Sequence, residues 1–156
     1  MPRDEFQGYY ESPIGLIEIG GDEGAITSLY FVEERREDAI SSTVIERAII
    51  QIDEYFTSAR QTFDLPLDLV GTEFQQQVWR QLLAIPYGET VTYQEIANRL
   101  GNPRAVRAVG AANGQNPISI IAPCHRVIGR DGRLVGYGGG LWRKEWLLRH
   151  EGSLLL

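Results

Sequence analysis

Cysteine, histidine and long apolar segments are all scarce in this chain of 156 residues. Its one cysteine is Cys124, and its two histidines are His125 and His150. A single cysteine excludes an internal disulfide. Because two of these three residues are neighbours in sequence, they fit no common spacing of zinc ligands, and we predict no bound metal. No segment is long and apolar enough to span a bilayer, and residues 1–6 lack the regions of a secretory signal. Both absences favour a cytoplasmic protein.

Basic residues are scarce in the first half of the chain and acidic residues in the second. Residues 1–71 carry 5 arginines and 15 acidic residues, a net charge of −10. Residues 72–156 carry 9 arginines, Lys144 and 6 acidic residues, a net charge of +4. This asymmetry favours the second half as the surface that binds a polyanion. An acidic half that only aids solubility would explain the same charges, so charge alone does not decide between the two.

The first half has the pattern of a small α/β domain over residues 1–70. Residues 16–19 and 26–32 have the composition of short strands, and turn residues separate them. Apolar residues then recur with helical spacing over residues 44–56. Residues 63–69 have an extended pattern but contain a proline, which favours an edge strand or a linker. No reactive pattern occurs in this half, so we expect the domain to support the rest of the chain.

The second half, residues 71–156, has the pattern of a helical domain. Two capping boxes begin at Thr72 and Thr92, each with a glutamine or glutamate three residues later. The helix that follows Thr92 ends at Gly101-Asn102-Pro103, and another helix is predicted over residues 104–112. Two short helices joined by a turn that contains glycine are typical of a helix-turn-helix.

The second helix of this pair carries two arginines among small residues, which is unusual for a helix that reads base edges in the major groove. Ala105 and Ala108 would give it a smooth face that approaches a DNA backbone or a narrow groove closely. Arg107 would then enter the base stack or pair with a phosphate. Tight packing of the helix within the domain accounts for the same small residues, and the sequence leaves both interpretations open.

Cys124 follows an apolar run, residues 118–122, which we predict to be extended, and it precedes His125 and Arg126. The thiolate is the reactive form of cysteine, and a nearby histidine or arginine lowers the pKa of a thiol from its usual value of about 8.5. The alternative is an inert thiol in the core, because a free cysteine commonly behaves as a small buried apolar residue.

Two features downstream of the cysteine suggest a site. Glycine dominates residues 136–140, which indicates either a backbone that approaches a ligand closely or a mobile surface loop. Glu151 follows an amphipathic helix predicted over residues 141–150, where a carboxylate opposes the helix dipole. A charge partner such as His125 would explain the position of Glu151, and so would exposure of a terminal carboxylate to solvent.

Eight motifs span nearly all of residues 71–152. They are Gly71-Thr72-Glu73-Phe74-Gln75, Ile85-Pro86-Tyr87-Gly88, Thr92-Tyr93-Gln94-Glu95-Ile96-Ala97, residues 101–109, Asn116-Pro117, Pro123-Cys124-His125-Arg126-Val127, Gly136-Tyr137-Gly138-Gly139-Gly140 and Glu145-Trp146-Leu147-Leu148. Together they resemble the O6-alkylguanine-DNA alkyltransferases of the bacterial type. The Pro-Cys-His-Arg-Val motif is highly specific in this context. Residues 1–70 resemble the variable N-terminal domain of that family only loosely.

The resemblance implies an α+β fold. A small N-terminal α/β domain of the RNase H-like type would precede a C-terminal helical domain with a winged helix-turn-helix and the active site. The implied function is direct reversal of DNA damage. The alkyl group of O6-alkylguanine in duplex DNA passes irreversibly to Cys124 in a single turnover, after base flipping through the minor groove. Whether O4-alkylthymine is also repaired is left open. No cofactor is implied, since the lesion donates the alkyl group, and we expect a monomer that binds double-stranded DNA.

The resemblance also implies roles for individual residues. The catalytic set comprises Cys124 as nucleophile and alkyl acceptor, His125 as base through a water molecule, Glu151 as the residue that orients His125, Asn116 as a brace of the active-site turn, and Tyr93 as a contact to base and phosphate and a proton donor. The DNA-binding set comprises Arg107, which fills the gap left by the flipped nucleotide, with Thr92, Tyr93, Arg104, Ala105 and Ala108. The pocket for the base comprises Ser119, Val127, Tyr137 and Gly138.

Three other functions match parts of the pattern. A lesion-binding protein that flips and marks damage without chemistry would not need Cys124. A helix-turn-helix regulator with a structural cysteine would prefer an undamaged sequence, and a thiol hydrolase would pair Cys124 with His150. Some relatives have serine at the position of Gly138 and proline at that of Ser119. The resemblance therefore does not define the range of alkyl groups that the pocket accepts.

Overall fold

The computed structural model of the chain describes residues 5–153. The first four residues, on which part of the expected cytoplasmic location rests, lie outside this range, as do the last three. The chain forms two compact units that divide between Val70 and Gly71. Within the described range, no helix has both the length and the apolar composition needed to cross a membrane. The elements of the two units make an α+β fold, as predicted.

From residue 5 onward, the first unit contains one antiparallel sheet of three strands, β1 (Phe6–Ser12), β2 (Gly15–Gly21) and β3 (Ile26–Phe31), in the order of the chain. Ser12 pairs with Gly15 across the turn from β1 to β2. Gly15 has a φ of 122°, a conformation that a side chain would oppose. The buried side chains of β2 and β3 form one side of the core of this unit.

One helix, α1 (Thr43–Phe56), packs against all three strands. Ser42 caps its first turn, because the Ser42 side chain accepts a hydrogen bond from the N–H of Ile45. The inward face carries the apolar residues Val44, Ile45, Ala48, Ile52, Tyr55 and Phe56. The helical period predicted for residues 44–56 is therefore confirmed.

Residues 63–69 extend along the edge of this sheet. Leu67 forms an isolated parallel bridge with Ile26 of β3. The N–H of Ile26 donates to the carbonyl of Pro66 at 2.8 Å, and the carbonyl of Ile26 accepts from the N–H of Asp68 at 2.8 Å. Proline has no N–H to give to a ladder, and the segment accordingly pairs over one bridge only.

The described part of the second unit, residues 71–153, contains four α-helices, α2 (Glu73–Leu83), α3 (Tyr93–Arg99), α4 (Val106–Gly114) and α5 (Leu141–His150). Both predicted capping boxes are confirmed, at the starts of α2 and α3. Helices α2 and α3 each pack against α4, so α4 is at the centre of the helix-turn-helix.

The buried face of α2 does not take in all of its apolar residues. Val78 and Leu82 are fully buried, but Phe74 is half-buried and Leu83 is 43% exposed. Trp79 is buried in their place, and its indole N–H donates to the carbonyl of Ala112 in α4 at 2.8 Å. A buried tryptophan needs a partner for its N–H, and α4 supplies one.

Helix α4 is shifted relative to the prediction of residues 104–112. It begins at Val106, and it continues to Gly114. Asn113, which lies beyond the predicted end of this helix, is therefore helical and buried. Its Nδ2 lies 3.5 Å from the carbonyl oxygen of Cys124. Tertiary packing thus overrides the turn propensity of an Asn-Gly pair.

Two short parallel strands, β4 (Val91–Thr92) and β5 (Val127–Ile128), complete this unit. Strand β4 runs directly into α3, and β5 follows directly after a 3₁₀ turn over Cys124–Arg126. The pairing of β4 with β5 therefore holds the cysteine turn next to the first helix of the helix-turn-helix.

Candidate active site

The residues before Cys124 form a compact turn rather than the predicted extended run. Ile118 and Ile120 are buried, but Ile120 has a φ of 70°, a region that branched residues avoid. Asn116 closes the turn. Its Nδ2 donates to the carbonyl of Ala122 at 2.7 Å, and its Oδ1 accepts from the N–H of Ile118 at 3.1 Å. The prediction was wrong because a buried amide here satisfies backbone groups that a strand would pair with a neighbour.

Cys124 lies inside the protein, with 5% of its surface exposed. Burial raises the pKa of its thiol, while the hydrogen bond from Asn116 and the charge on Lys144 oppose that rise only in part. The thiol is therefore protonated at neutral pH, and a base must remove its proton before it acts as a nucleophile.

Three buried side chains, two from the turn that contains Cys124 and one from the end of α5, meet beside this cysteine. Arg126 donates to both carboxylate oxygens of Glu151, at 2.8 Å from Nε and 3.0 Å from Nη2. Its Nη1 donates to the carbonyl of Ile85 at 2.6 Å. The Nε2 atom of His125 lies 2.8 Å from Oε2 of Glu151. Glu151 is thus buried and paired rather than exposed to solvent.

The charges of this cluster determine the state of His125. Burial raises the pKa of Glu151, but His125 and Arg126 together lower it to well below the usual value for a carboxyl group. An ionised Glu151 only accepts hydrogen bonds, so Nε2 of His125 carries a proton and Nδ1 carries a lone pair. Burial lowers the pKa of His125 in spite of Glu151, so the ring is neutral. Nδ1 has no hydrogen-bond partner among residues 5–153, and it is free to accept a proton.

The glycine-rich loop is tied to α3 and α5 through one carbonyl group. The hydroxyl of Tyr93 donates to the carbonyl of Val135 at 2.9 Å, and Nζ of Lys144 donates to the same oxygen at 3.0 Å. Nζ also lies 3.3 Å from the carbonyl of Gly136. Lys144 is the only lysine of the chain and is fully buried, and its burial lowers its pKa to about 8.

The glycines of this loop differ in whether their backbone conformation favours glycine. Gly136 and Gly140 have φ values of 60° and 95°, so both positions favour glycine. Gly138 is exposed, and a Cβ atom there would meet nothing within 4 Å. A serine at position 138 would therefore fit without a clash. The neighbouring Tyr137 has a buried hydroxyl, and burial raises its pKa well above the usual value for a phenol.

The predicted DNA-binding residues of α4 and the turn before it lie at the surface. Arg104, Arg107 and Ala108 are exposed, and Ala105 is half-buried. These small residues are therefore not all explained by packing. Thr92 is the N-cap of α3, where its side chain accepts from the N–H of Glu95 at 3.1 Å.

The structure brings the predicted catalytic residues Cys124, His125, Glu151 and Asn116 into one region with Tyr93. Of the other pocket residues, Val127 is fully buried in β5 and Ser119 is half-buried in the turn that Asn116 closes. Among residues 5–153, no three His, Cys, Asp or Glu side chains come close enough together to hold a metal ion.

Three further buried polar residues belong to this region and were not assigned a role from the sequence: Asn113, Arg126 and Lys144. Lys144 precedes the buried Leu147 and Leu148 by three and four residues, so it lies on the apolar face of α5. A charged residue on an apolar face is a signal that the sequence does contain. Arg126 lies inside the Pro-Cys-His-Arg-Val motif. Asn113 begins an Asn-Gly pair, which is typical of a turn, so the sequence does not indicate that this residue is buried.

Two family models match the chain, one in each unit. The 6-O-methylguanine DNA methyltransferase, ribonuclease-like domain, matches residues 6–69. The 6-O-methylguanine DNA methyltransferase, DNA binding domain, matches residues 73–153. The predicted fold class, a ribonuclease-like domain followed by a DNA-binding domain, is thereby confirmed.

Related proteins are similar to this chain in sequence and structure over almost its whole length. The methylated-DNA–protein-cysteine methyltransferase of Methanosarcina acetivorans is 47% identical over 154 residues, with 95% of this chain and 99% of that protein covered. The crystal structure of the Mycobacterium tuberculosis O6-methylguanine methyltransferase superposes with a TM-score of 0.85 at 47% identity, covering 95% of this chain and 93% of that one. Mycobacterium tuberculosis OGT in complex with DNA gives a TM-score of 0.84 at 48% identity, covering 93% and 91%.

Proposed function

The chain belongs to the methylated-DNA–protein-cysteine methyltransferase family, and from this premise we propose that it repairs DNA by a single irreversible transfer of the alkyl group of O6-alkylguanine to Sγ of Cys124. The observation that carries the proposal is a buried, protonated thiol next to a neutral His125, whose ring is held by an ionised Glu151. An inert core thiol would not need a buried base with a free lone pair beside it.

The chemistry begins with the proton of the Cys124 thiol, which passes through a water molecule to Nδ1 of His125. Glu151 accepts from Nε2 and stabilises the imidazolium that forms. Sγ then attacks the alkyl carbon in line with its bond to O6, that bond breaks, and its electron pair passes to the base. The base takes up a proton and becomes ordinary guanine. The new thioether is stable, so each molecule of the protein acts once.

Tyr93 assists the departure of the base. Burial raises the pKa of its hydroxyl, so the group remains a hydrogen-bond donor at neutral pH. A donor to the leaving base lowers the barrier for transfer, because it stabilises the charge that develops there. Its present acceptor, the carbonyl of Val135, is then exchanged for the base. The base itself lies against Ser119, Val127, Tyr137 and Gly138.

DNA binds to the helix-turn-helix, and the target base flips out through the minor groove. Exposed Arg104 pairs with phosphate, and the small residues Ala105 and Ala108 allow the backbone to approach closely. Arg107 enters the gap that the flipped nucleotide leaves. The net charge of +4 on residues 72–156 and the complex of Mycobacterium tuberculosis OGT with DNA both support this assignment.

The division of labour follows the two units. Residues 71–156 carry DNA binding and chemistry, and residues 1–70 support them. The protein acts as a monomer on double-stranded DNA and uses neither metal nor cofactor, because the alkyl donor is the lesion and the acceptor is the side chain of Cys124.

Intact mass spectrometry tests the reaction. The protein and Cys124→Ala are each mixed with an equimolar duplex that contains one O6-methylguanine. We expect the wild type to gain the mass of one methylene unit, located at Cys124, while the DNA regains guanine and the variant stays unchanged. Tight and selective binding without any mass change would instead establish a lesion-binding protein.

Base flipping by Arg107 is tested with two substrates. Arg107→Ala should slow transfer from a duplex far more than transfer from free O6-methylguanine base, which needs no flipping. Both rate constants are measured on one protein sample, so a partly inactive preparation affects them equally. An equal decrease in the rate constants for the two substrates would contradict the proposed role of Arg107.

A further inference from the structure

Lys144 is a fully buried lysine whose ammonium group contacts the start of the glycine-rich loop. Its Nζ donates to the backbone carbonyls of Val135 at 3.0 Å and Gly136 at 3.3 Å. Nζ also lies over the ring of Tyr93, 5.9 Å from the ring centroid. Among the described residues, no carboxylate forms an ion pair with it. A buried charge without an opposite charge destabilises a fold, so the presence of a lysine here calls for an explanation.

The backbone conformation of Gly136 lets two successive carbonyl groups point at one nitrogen. Its φ of 60° lies in the left-handed region, which glycine adopts without strain. Burial lowers the pKa of Lys144 to about 8, so the group keeps its proton at neutral pH and offers three N–H donors. Hydrogen bonds from a charged donor are stronger than those between neutral groups. Lys144 therefore fixes the point at which the loop begins.

The carbonyl of Val135 has a second donor, the hydroxyl of Tyr93, at 2.9 Å. Under the proposed function this hydroxyl leaves Val135 and donates to the departing base. The carbonyl oxygen faces the buried Nζ of Lys144, and without that group it would then lack any donor. An interior acceptor that loses its donor raises the free energy of the state in which this happens. The two donors thus differ, because the bond from Tyr93 is exchanged and the bond from Lys144 remains.

We propose that Lys144 is a positioning residue for alkyl transfer, which keeps the Val135 carbonyl paired while the Tyr93 hydroxyl turns to the base. It thereby holds the glycine-rich loop in place during the reaction. This inference rests on the proposed function. Lys144 does not touch the substrate, since it acts through the loop and through Tyr93. The consequence is a coupling between the two residues, in which the bond from Lys144 gains importance only when the Tyr93 hydroxyl leaves Val135.

A double-mutant cycle measures this coupling. Lys144→Met removes the donor and keeps an unbranched apolar stem, and Tyr93→Phe removes the hydroxyl that is exchanged. Limiting rate constants for methyl transfer are measured at neutral pH with a saturating excess of O6-methylguanine duplex, so inactive protein does not affect them. With Tyr93 present, Lys144→Met should lower this rate constant by on the order of tenfold. The half-saturating concentration of DNA should stay that of the wild type, because Lys144 is buried.

In the Tyr93→Phe background, Lys144→Met should lower the rate constant by a clearly smaller factor. The Val135 carbonyl then lacks both donors before transfer as well as during it, so no bond is lost on the way. The charge of Lys144 also lowers the pKa of the Cys124 thiol, and the loss of that effect is the same in both backgrounds and cancels in the cycle.

Arg143→Met is the matched control. Arg143 precedes Lys144 in α5 and donates to the carbonyl of Gly139 in the same loop at 2.8 Å, an acceptor to which Tyr93 does not donate. Its replacement should change the rate constant by the same factor in both backgrounds. If Lys144→Met does not fold, Lys144→Gln takes its place in the cycle. Its side chain is one atom shorter and does not reach both carbonyls, so the same coupling is expected.

Two results would count against these conclusions in different ways. If the lysine variant lowers the rate constant by equal factors with and without the Tyr93 hydroxyl, Lys144 only supports the fold, and the inference is wrong while the proposed function stands. If the wild type takes up no methyl group from the duplex, the proposed function itself is wrong.

Discussion

The two units of the chain bury polar groups in different ways. Among the described residues of the first unit, the one buried charged side chain is Glu18. It accepts a hydrogen bond from Tyr9 at 2.6 Å and lies 3.3 Å from Arg36, whose side chain is 55% exposed. The second unit instead buries four ionisable groups near the cysteine: His125, Arg126, Lys144 and Glu151.

The difference indicates which unit is built for reactivity. A buried charge lowers the stability of a fold unless other groups pair with it completely. Removal of one partner therefore destabilises the protein. In the first unit the charge on Arg36 stays in water, so the pair matters little for stability. In the second unit the whole cluster lies in the interior. We infer that this arrangement holds His125 neutral and Glu151 ionised.

The largest expected difference between the units is in catalysis. Glu151→Gln removes the charge that stabilises the His125 imidazolium, and the rate constant for methyl transfer should fall by about 100-fold or more. Glu18→Gln makes the same chemical change in the other unit and should leave the rate unchanged. Single-turnover assays with an O6-methylguanine duplex measure both. Similar losses in the two variants would show that a buried carboxylate matters here only for the fold.

Stability offers the next contrast. Arg126→Met leaves Glu151 buried without the side chain that donates to both of its carboxylate oxygens, and it should lower the free energy of unfolding by about 3–5 kcal/mol. Arg36→Met removes a largely exposed partner and should cost about 0–1 kcal/mol. Urea denaturation followed by circular dichroism compares the two variants. An equal cost would mean that the cluster around Glu151 is no more tightly coupled than a surface ion pair.

Periodicity and capping signals in the sequence were enough to predict most of the fold. The apolar spacing over residues 44–56 and the capping boxes at Thr72 and Thr92 are local, and local patterns survive in the structure. The extended run predicted for residues 118–122 failed, since the side chain of Asn116 satisfies backbone groups that no periodicity reports.

The site itself was only partly visible in the sequence. The resemblance singled out Cys124, His125 and Glu151, but it took the structure to show that Arg126 reaches Glu151 across 25 residues. Neither composition nor spacing predicts a contact between residues so far apart in the chain. Asn113 was missed for a related reason, because its local sequence favours a turn while its distant partners favour a helix.

The smallest expected effect is in the pH dependence of transfer, and it distinguishes members of the cluster from one another. Burial lowers the pKa of His125 from its usual value of 6.5. The midpoint of the acidic fall in the rate constant, where His125 gains a proton, should therefore lie below pH 6.5. A midpoint above pH 6.5 would contradict a neutral base in this environment.

Two variants should move this acidic limb in opposite directions. Glu151 raises the pKa of His125 and Arg126 lowers it, so Glu151→Gln should shift the limb to lower pH and Arg126→Met to higher pH. Glu18→Gln in the first unit should leave its position unchanged. Because the position of the limb does not depend on the height of the plateau, it can be read even from a slow or partly unfolded variant. A shift in the same direction for both variants would mean that general disruption of the core, rather than the charges on Glu151 and Arg126, controls the base.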